Sequence, residues 1–395
     1  MNYEQKKQIF ENELKKHEQD CRDLAAWLGD HPEISCQEKE SCARVCALLE
    51  KEGFAVEREF AGVDHAFWAI RLPEGKHYAH KMAILTEYDA LPGLGADGGP
   101  GHACGHNVSC AVSVLAGLSL NALQEALDTE IHIVGTPAEE VISGKVMMEK
   151  AGVWNNYDFA MMVHMDADNM TSPIALATSQ LSVVYHGRSA HASGAPWLGQ
   201  NALNGARLTL DAIDMLRQHM KPGCQVHGAL VEGGVVVNII PDRAKLNLQL
   251  RAFTYQDCLD LQERITRCIQ GAAMATETEA EITVLHEPIK DLKFNAALDR
   301  MAAESFEECG LALSPRRIFA STDAGNVSYI CPTLQPLLKI APAGTGLHTR
   351  VFEQCARSEE AMASIANGAR ILGYTAMKVF ESEESLAKVW EDFKK

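Results

Sequence analysis

The segment MAILTEYDALPG, residues 82–93, passes from an apolar run directly into charged and loop-forming residues. Residues 82–86 carry no charge, which predicts a buried strand, and the Pro-Gly pair at the end of the segment predicts a loop. The pattern further along the chain predicts strands at Glu130–Gly135 and Phe159–Val163 and helices at Val108–Leu123 and Gly144–Ala151. Strands that alternate with helices predict the α/β class, with a mostly parallel sheet flanked by helices.

The order of elements changes near residue 180. Two predicted helices lie among four predicted strands, at Leu181–Gly187, Gln225–Gly233, Ala244–Phe253 and Glu281–His286. This order predicts an inserted α+β domain with a four-stranded antiparallel sheet and two helices. We therefore predict one domain in two parts, residues 1–178 and 289–395, interrupted by a second at residues 179–288. The second part of the interrupted domain ends in a final predicted helix, Glu359–Phe380.

Composition limits the classes of partner. The chain has 395 residues, 47% of them apolar, and a formal net charge of −17. A surplus of acidic residues argues against nucleic acid as a partner, because phosphate binding needs basic surface. The charged N-terminal segment does not resemble a signal peptide, and no apolar run is long enough to span a membrane. Twelve cysteines scattered without a signal are typical of reduced thiols, so we expect a cytoplasmic protein.

A histidine, a cysteine and a second histidine alternate in the glycine-rich segment His102-Ala-Cys104-Gly-His106. Placed after a strand and before a helix, such side chains can converge on one cation, and zinc accepts mixed sulfur and nitrogen ligands. The N-terminus of the following helix would favour the thiolate form of Cys104. The motif on its own is equally compatible with a purely structural loop.

Two adjacent carboxylates, Glu139 and Glu140, follow another predicted strand. Neighbouring side chains point in different directions, so one carboxylate can bind a metal while the other moves protons. Such a pair alone is more often the solvated start of a helix. Two single histidines, His164 and His348, also lie at junctions of strands and loops. The combination of all these residues at equivalent places in the fold favours a metal site for hydrolysis.

The order of six motifs resembles the aminoacylase and carboxypeptidase class of metallopeptidases. The motifs are HACGHN (102–107), GTPAEE (135–140), VHMD (163–166), GRSAHA (187–192), VNIIPD (237–242) and GLHTR (346–350). The segments EYDALPG, CGHN and STDAGNVSY resemble the p-aminobenzoyl-glutamate hydrolase and Xaa-Arg dipeptidase members more than the hippurate and auxin-conjugate hydrolases. The resemblance spans nearly the whole chain.

This resemblance implies an enzyme that hydrolyses the amide bond of N-acyl or aminoacyl amino acids with two divalent metal ions per subunit. Zinc is favoured by the thiolate, with manganese or cobalt as alternatives. The implied metal ligands are Cys104, His106, Glu140, His164 and His348. Glu139 would be the general base, and Asp89 would orient a ligand. Related branches carry His-x-Asp where this chain has Glu87-Tyr88-Asp89, which leaves open which ligands hold which metal.

The inserted domain is implied to contribute to dimerisation and to the site. In the family, the histidine equivalent to His191 reaches across a homodimer and stabilises the oxyanion in the other subunit. The resemblance also implies a substrate-binding group, consisting of Asn238, Arg251, Thr322, Asn326 and Arg350. Arginine can bind a substrate carboxylate through two parallel hydrogen bonds.

Three other functions compete with hydrolysis. A non-catalytic metal- or ligand-binding protein on the same fold would not need Glu139, and a structural zinc protein would have a closed site with four ligands. A zinc nucleobase deaminase is excluded because no P-C-x-x-C segment follows. The substrate stays open between p-aminobenzoyl-glutamate-like compounds, dipeptides and other N-acyl amino acids.

Overall fold

The computed structural model describes residues 1–141 and 143–395, which form two compact units. The outer unit comprises Met1–Ile174, Leu292–Ile318 and Asp323–Lys395. The inserted unit comprises Ala175–Asp291 and Phe319–Thr322. No described helix is both long enough and apolar enough to cross a lipid bilayer.

The elements follow in chain order. The first part of the outer unit contains α1 (Tyr3–Asp30), α2 (Lys39–Lys51), β1 (Ala55–Arg58), β2 (Phe67–Ile70), β3 (His80–Thr86), α3 (His106–Asn121), α4 (Gln124–Leu127), β4 (Thr129–Gly135), α5 (Gly144–Lys150), β5 (Phe159–Met161) and β6 (His164–Asp166). The inserted unit contains β7 (Ala177–His186), α6 (Ala202–Leu216), β8 (Gln225–Glu232), β9 (Arg243–Ala252), α7 (Tyr255–Ala275) and β10 (Glu279–Val284). The outer unit ends with α8 (Ala296–Glu308), α9 (Ala324–Ser328), β11 (Thr333–Leu334), β12 (Leu337–Lys339), α10 (Arg350–Ala356), α11 (Glu359–Val379) and α12 (Glu383–Phe393).

The main sheet of the outer unit has the strand order β1-β2-β4-β3-β5-β11. Strands β4, β3, β5 and β11 run parallel to one another, whereas β2 pairs antiparallel with β4, and β1 pairs antiparallel with β2 at that edge of the sheet. Alternate residues of β3 enter two different cores: Met82 and Ile84 pack in one, Ala83 and Leu85 in the other. A strand that is buried on both faces has to be apolar throughout, which explains its sequence. The predicted α/β class with a parallel-rich sheet is confirmed.

The inserted unit is a four-stranded antiparallel sheet in the order β10-β7-β9-β8, with α6 and α7 packed against it. Buried residues alternate with less buried ones along β9, as expected for a sheet with one covered face. The predicted sheet and its two helices are confirmed. Strand β8 lies at the edge of this sheet.

Two predicted elements are wrong in detail. The strand predicted at Phe159–Val163 ends at Met161, because the chain leaves the main sheet there and pairs with β12 from His164 onward. Both strands are buried, so the apolar run hides the break between them. The helix predicted to be last ends at Val379 and is followed by α12, which Ser382 caps by accepting a hydrogen bond from the N–H of Ser385.

Candidate metal centre

The candidate centre lies where the parallel strands of the outer unit end. Glu87 to Asp89 follow β3, and Glu139 and Glu140 follow β4, so parallel pairing brings both segments to one edge of the sheet. Helix α3 begins beside them at His106. The residue before it, Gly105, has a φ of 76°, and a Cβ there would lie 2.6 Å from the Cβ of Met165. Only glycine fits this left-handed and crowded position.

The structure brings all five predicted metal ligands together. The ligand atoms of Cys104, His106 and His164 lie within 4.8 Å of one another, and so do those of Cys104, Glu140 and His348. The Sγ of Cys104 therefore belongs to both groups of three. The Nε2 of His348 lies 3.0 Å from this sulfur and 3.3 Å from the Oε1 of Glu140.

Asp89 holds two of these ligands in place. Its Oδ1 accepts a hydrogen bond of 2.9 Å from the Nδ1 of His106, and its Oδ2 accepts one of 3.1 Å from the backbone N–H of Glu140. Ser35 donates a further hydrogen bond of 2.7 Å to Oδ2. Although burial alone would raise it, the pKa of Asp89 is lowered to about 2 by His106 and these hydrogen bonds. A carboxylate that fixes the Nδ1 proton leaves Nε2 of the imidazole directed toward a metal.

The other two histidines are fixed by the backbone. The Nδ1 of His164 donates to the carbonyl oxygen of Met165 at 2.8 Å, which leaves the lone pair on Nε2. His348 has a φ of 57°, and its N–H donates to the carbonyl oxygen of Ala103 at 3.0 Å. A left-handed histidine is an uncommon backbone state, and here it joins the downstream loop to the segment that carries Cys104.

The donor atoms fit a divalent cation. The Nε2 of His106 and the Oε1 of Glu140 are buried, and neither forms a well-aligned hydrogen bond among the described residues: the first lies 3.4 Å from Glu87 Oε2 and the second 3.3 Å from His348 Nε2. Poorly satisfied buried polar atoms are costly, and coordination would reduce that cost. Burial, together with the carboxylates of Glu140 and Glu139, raises the pKa of the Cys104 thiol well above its ordinary value. Coordination by a cation would favour the thiolate form of Cys104.

Glu139 lies beside the cluster and forms a group with the ligand atoms of His106 and Glu140. Desolvation and the neighbouring carboxylates of Glu140 and Glu87 raise the pKa of Glu139 well above its ordinary value. The two adjacent glutamates are thus in different environments, as a division into metal ligand and proton carrier requires.

Glu38 is a buried residue of this site that the sequence did not reveal. Its Oε1 accepts a hydrogen bond of 2.7 Å from the N–H of Ala138, which has a φ of 58° and directly precedes Glu139. Burial and the nearby carboxylate of Asp89 raise the pKa of Glu38 to about 7. A left-handed alanine needs support from its surroundings, and Glu38 provides it across 100 residues of sequence. No local pattern marks such a contact.

The remaining predicted residues are divided between the two units. In the inserted unit, the loop of His191 pairs with that of Asn238: His191 forms a bridge with Ile239, and the N–H of Ala192 donates to the carbonyl oxygen of Asn238. Arg251 is half-buried and donates a hydrogen bond of 2.6 Å to Ser321, in the segment that ends with the buried Thr322.

In the outer unit, Asn326 is buried in α9, and its side-chain amide donates to Glu149 at 2.8 Å. Arg350 is exposed at the start of α10, with one guanidinium nitrogen 3.5 Å from the carbonyl oxygen of Gly93. The outer unit thus contains two of the predicted substrate-binding residues. Asn326 is buried, and Arg350 is exposed and carries a positive charge.

Comparison with known proteins places this architecture in a family. A model of the peptidase dimerisation domain matches residues 178–277. The chain is 32% identical over 387 residues to the Xaa-Arg dipeptidase of Mus musculus, covering 94% of this chain and 88% of that protein. It is 30% identical over 288 residues to a subunit of the p-aminobenzoyl-glutamate hydrolase of Escherichia coli, covering 69% of this chain and 59% of that protein.

Solved structures share the fold. A dinuclear metal-binding peptidase of the M20 family from Bacillus subtilis superposes with a TM-score of 0.70 at 19% identity, over 91% of this chain and 98% of that one. The aminobenzoyl-glutamate utilization protein from Klebsiella pneumoniae superposes with a TM-score of 0.65 at 19% identity, over 91% and 98%. The fold, the donor cluster and the relatives together define a metal-dependent hydrolase. The chain belongs to the M20 family of metallopeptidases and amidohydrolases.

Proposed function

We propose that this protein hydrolyses the amide bond of dipeptides or N-acyl amino acids, using two divalent cations and Glu139 as general base. One observation carries the proposal: two groups of three ligands share the Cys104 sulfur, and a carboxylate outside both groups lies next to them. The names of the relatives, an Xaa-Arg dipeptidase and a p-aminobenzoyl-glutamate hydrolase, agree with this substrate class.

The metals would be held by Cys104, His106, Glu140, His164 and His348. Sulfur and imidazole ligands favour zinc, while manganese or cobalt would accept the same nitrogen and oxygen donors. When bound, such cations polarise the substrate carbonyl and lower the pKa of bound water to about 7. Asp89 keeps the His106 imidazole in the tautomer that can bind a metal.

Glu139 would carry the proton through the reaction. Its carboxylate accepts a proton from water as the water oxygen attacks the amide carbon, and then delivers that proton to the leaving nitrogen. General acid–base catalysis of this kind requires a carboxylate that is close to the reacting atoms but not bound to a metal. Glu140 cannot be the general base if its carboxylate is bound to a metal ion.

A screen of substrates tests the proposal. Dipeptides ending in arginine, p-aminobenzoyl-glutamate and N-acetylated amino acids would each be incubated with metal-free enzyme to which zinc, manganese or cobalt has been restored. We expect hydrolysis of at least one class, and only with metal. A protein that binds metal stoichiometrically but cleaves none of these compounds would be the non-catalytic binding protein instead.

A homodimer is the proposed assembly. Strand β8 lies at the edge of the inserted sheet, and the segment after it exposes Val235 and Val237 almost completely. Exposed strand edges and clusters of apolar side chains are surfaces on which second chains pair. The matched peptidase dimerisation domain covers this segment.

His191 would serve the metal centre of the partner subunit. Its Nδ1 accepts hydrogen bonds from the N–H groups of Gly194 at 3.1 Å and Ser193 at 3.3 Å, so the ring proton lies on Nε2, where it can be donated to an oxyanion. We expect His191→Ala to lower kcat by about 10²–10³-fold without loss of metal. His186→Ala, which removes an exposed histidine of the same unit, should leave kcat unchanged.

A mixing experiment separates a role across subunits from one within a subunit. Neither His191→Ala nor Glu139→Gln should be active alone, but a mixed dimer contains one site with both groups intact. Random exchange of subunits should restore about a quarter of the wild-type activity. Mixtures that stay inactive although subunits have exchanged would contradict the cross-subunit role.

The cysteines support a reducing compartment. All twelve are free thiols, including the exposed Cys36. Proteins of oxidising compartments usually pair such residues in disulfides. We therefore propose the cytosol as the location of the enzyme.

A further inference from the structure

A buried lysine, Lys145, lies in an acidic pocket to which Glu139 itself contributes a carboxylate. Carboxylate oxygens of Glu87, Glu139 and Asp323 lie within 4.8 Å of one another, an arrangement that can hold a metal ion. The ammonium of Lys145 contacts two of these three carboxylates. It donates a short hydrogen bond to Glu87 Oε1 and one of 2.6 Å to Asp323 Oδ1. Lys145, Glu87 and Asp323 are completely shielded from solvent.

Lys145 is fixed at its backbone as well as at its side chain. Its N–H donates to Asp323 Oδ2 at 3.0 Å, and its carbonyl oxygen accepts a hydrogen bond of 3.0 Å from Trp154 Nε1. Asp323 thus holds both ends of the residue. A lysine is completely buried only where its charge is paired, and here the ammonium is paired with the carboxylates of Glu87 and Asp323.

The charges of the pocket require a cation. Two carboxylates without an opposing charge would be costly to bury, and Glu139 brings a third. Three carboxylate oxygens around one point are the ligands that manganese and magnesium prefer. A divalent ion there would take Glu139 as a ligand, whereas an ammonium donates hydrogen bonds and leaves the Glu139 carboxylate able to move.

We propose that Lys145 is a positioning residue that occupies this pocket as a built-in cation, excludes a divalent metal ion from it and thereby keeps Glu139 unligated. The metals are then confined to the cluster around Cys104. This inference rests on the proposed function only for the role of Glu139; the exclusion of a metal ion follows from the pocket itself.

Counting bound manganese tests the inference. Wild type, Lys145→Met and Lys39→Met, a control that removes an exposed lysine, would be stripped with a chelator and dialysed against Mn²⁺. Plasma emission spectroscopy then gives the ions per chain. We expect wild type and the control to bind the same number, and Lys145→Met to bind one more. Adding Asp323→Asn to Lys145→Met should abolish the extra ion.

The kinetics give a second readout that a merely structural lysine would not change. In Lys145→Met, kcat should fall as the extra site fills with Mn²⁺, with little change in KM, and Lys145→Arg should restore the wild-type metal count. If Lys145→Met folds only when Mn²⁺ is present, the ion has replaced the ammonium, which supports the inference.

Two results would overturn it: a folded Lys145→Met with the wild-type metal count, or a Lys145→Met that stays unfolded at saturating Mn²⁺. The metal count decides this inference, while amide hydrolysis by the wild type decides the proposed function. The two can therefore fail separately.

Discussion

Replacing Glu139 with glutamine should lower kcat by about 10²–10⁴-fold, the usual contribution of general acid–base catalysis. The amide has nearly the same shape as the carboxylate but cannot accept a proton from water. Glu139 is partly buried beside the ligand atoms of His106 and Glu140 without being needed in the two groups that share Cys104. We therefore expect metal content and thermal stability to stay close to those of the wild type.

The adjacent residue provides the matched comparison. Glu140→Gln removes the same charge one position away, but it weakens a ligand whose N–H is held by Asp89. It should lose metal as well as activity, and added metal should restore part of the activity. Steady-state kinetics together with metal analysis of both variants would show the difference. A Glu139→Gln variant that turns over at the wild-type rate would remove Glu139 from the mechanism, and one that loses its metal would make Glu139 a ligand.

Much of this site could be predicted because its parts are local. Cys104 and His106 are two residues apart, Glu139 and Glu140 are adjacent, and each pair follows a strand whose apolar run is visible in the sequence. Parallel pairing of β3 with β4 then brings the two segments to one edge. Strand ends and residue spacing thus indicate where the polar cluster lies, whereas the division into metal ligands and general base is implied by the family resemblance.

The contacts between distant residues could not be predicted. Lys145 lies in the segment SGKVMMEK, where a lysine in a short helix is expected to face solvent, yet its partners are 58 and 178 residues away. Glu38 looks like one of several charged residues before α2. Its buried carboxylate accepts a hydrogen bond from the N–H of Ala138, 100 residues further along the chain. Buried charges are determined by tertiary pairing, which no local periodicity records.

Cys104→Ala should remove the greatest part of metal binding, because both groups of three ligands include its sulfur. If one thiolate serves two cations, its loss should weaken both, so we expect metal content to fall by more than one ion per chain. Activity should fall with it by at least about 10²-fold, since the nucleophile depends on the bound metals. Cys104→Ser, which keeps a weaker oxygen donor, should lie between alanine and wild type.

Cys110→Ala is the control variant, because it removes a buried thiol that is not a proposed metal ligand. Cys110 is completely buried, whereas Cys104 is 6% exposed, and it lies in α3, one turn beyond His106, but it belongs to neither ligand group. This variant should keep both metals and lose only a little stability, because it deletes one small apolar atom from the core. Metal analysis would distinguish three cases for Cys104→Ala. Loss from both positions supports a shared thiolate, loss of one ion assigns the sulfur to a single metal, and full retention of metal and activity would contradict the proposed centre.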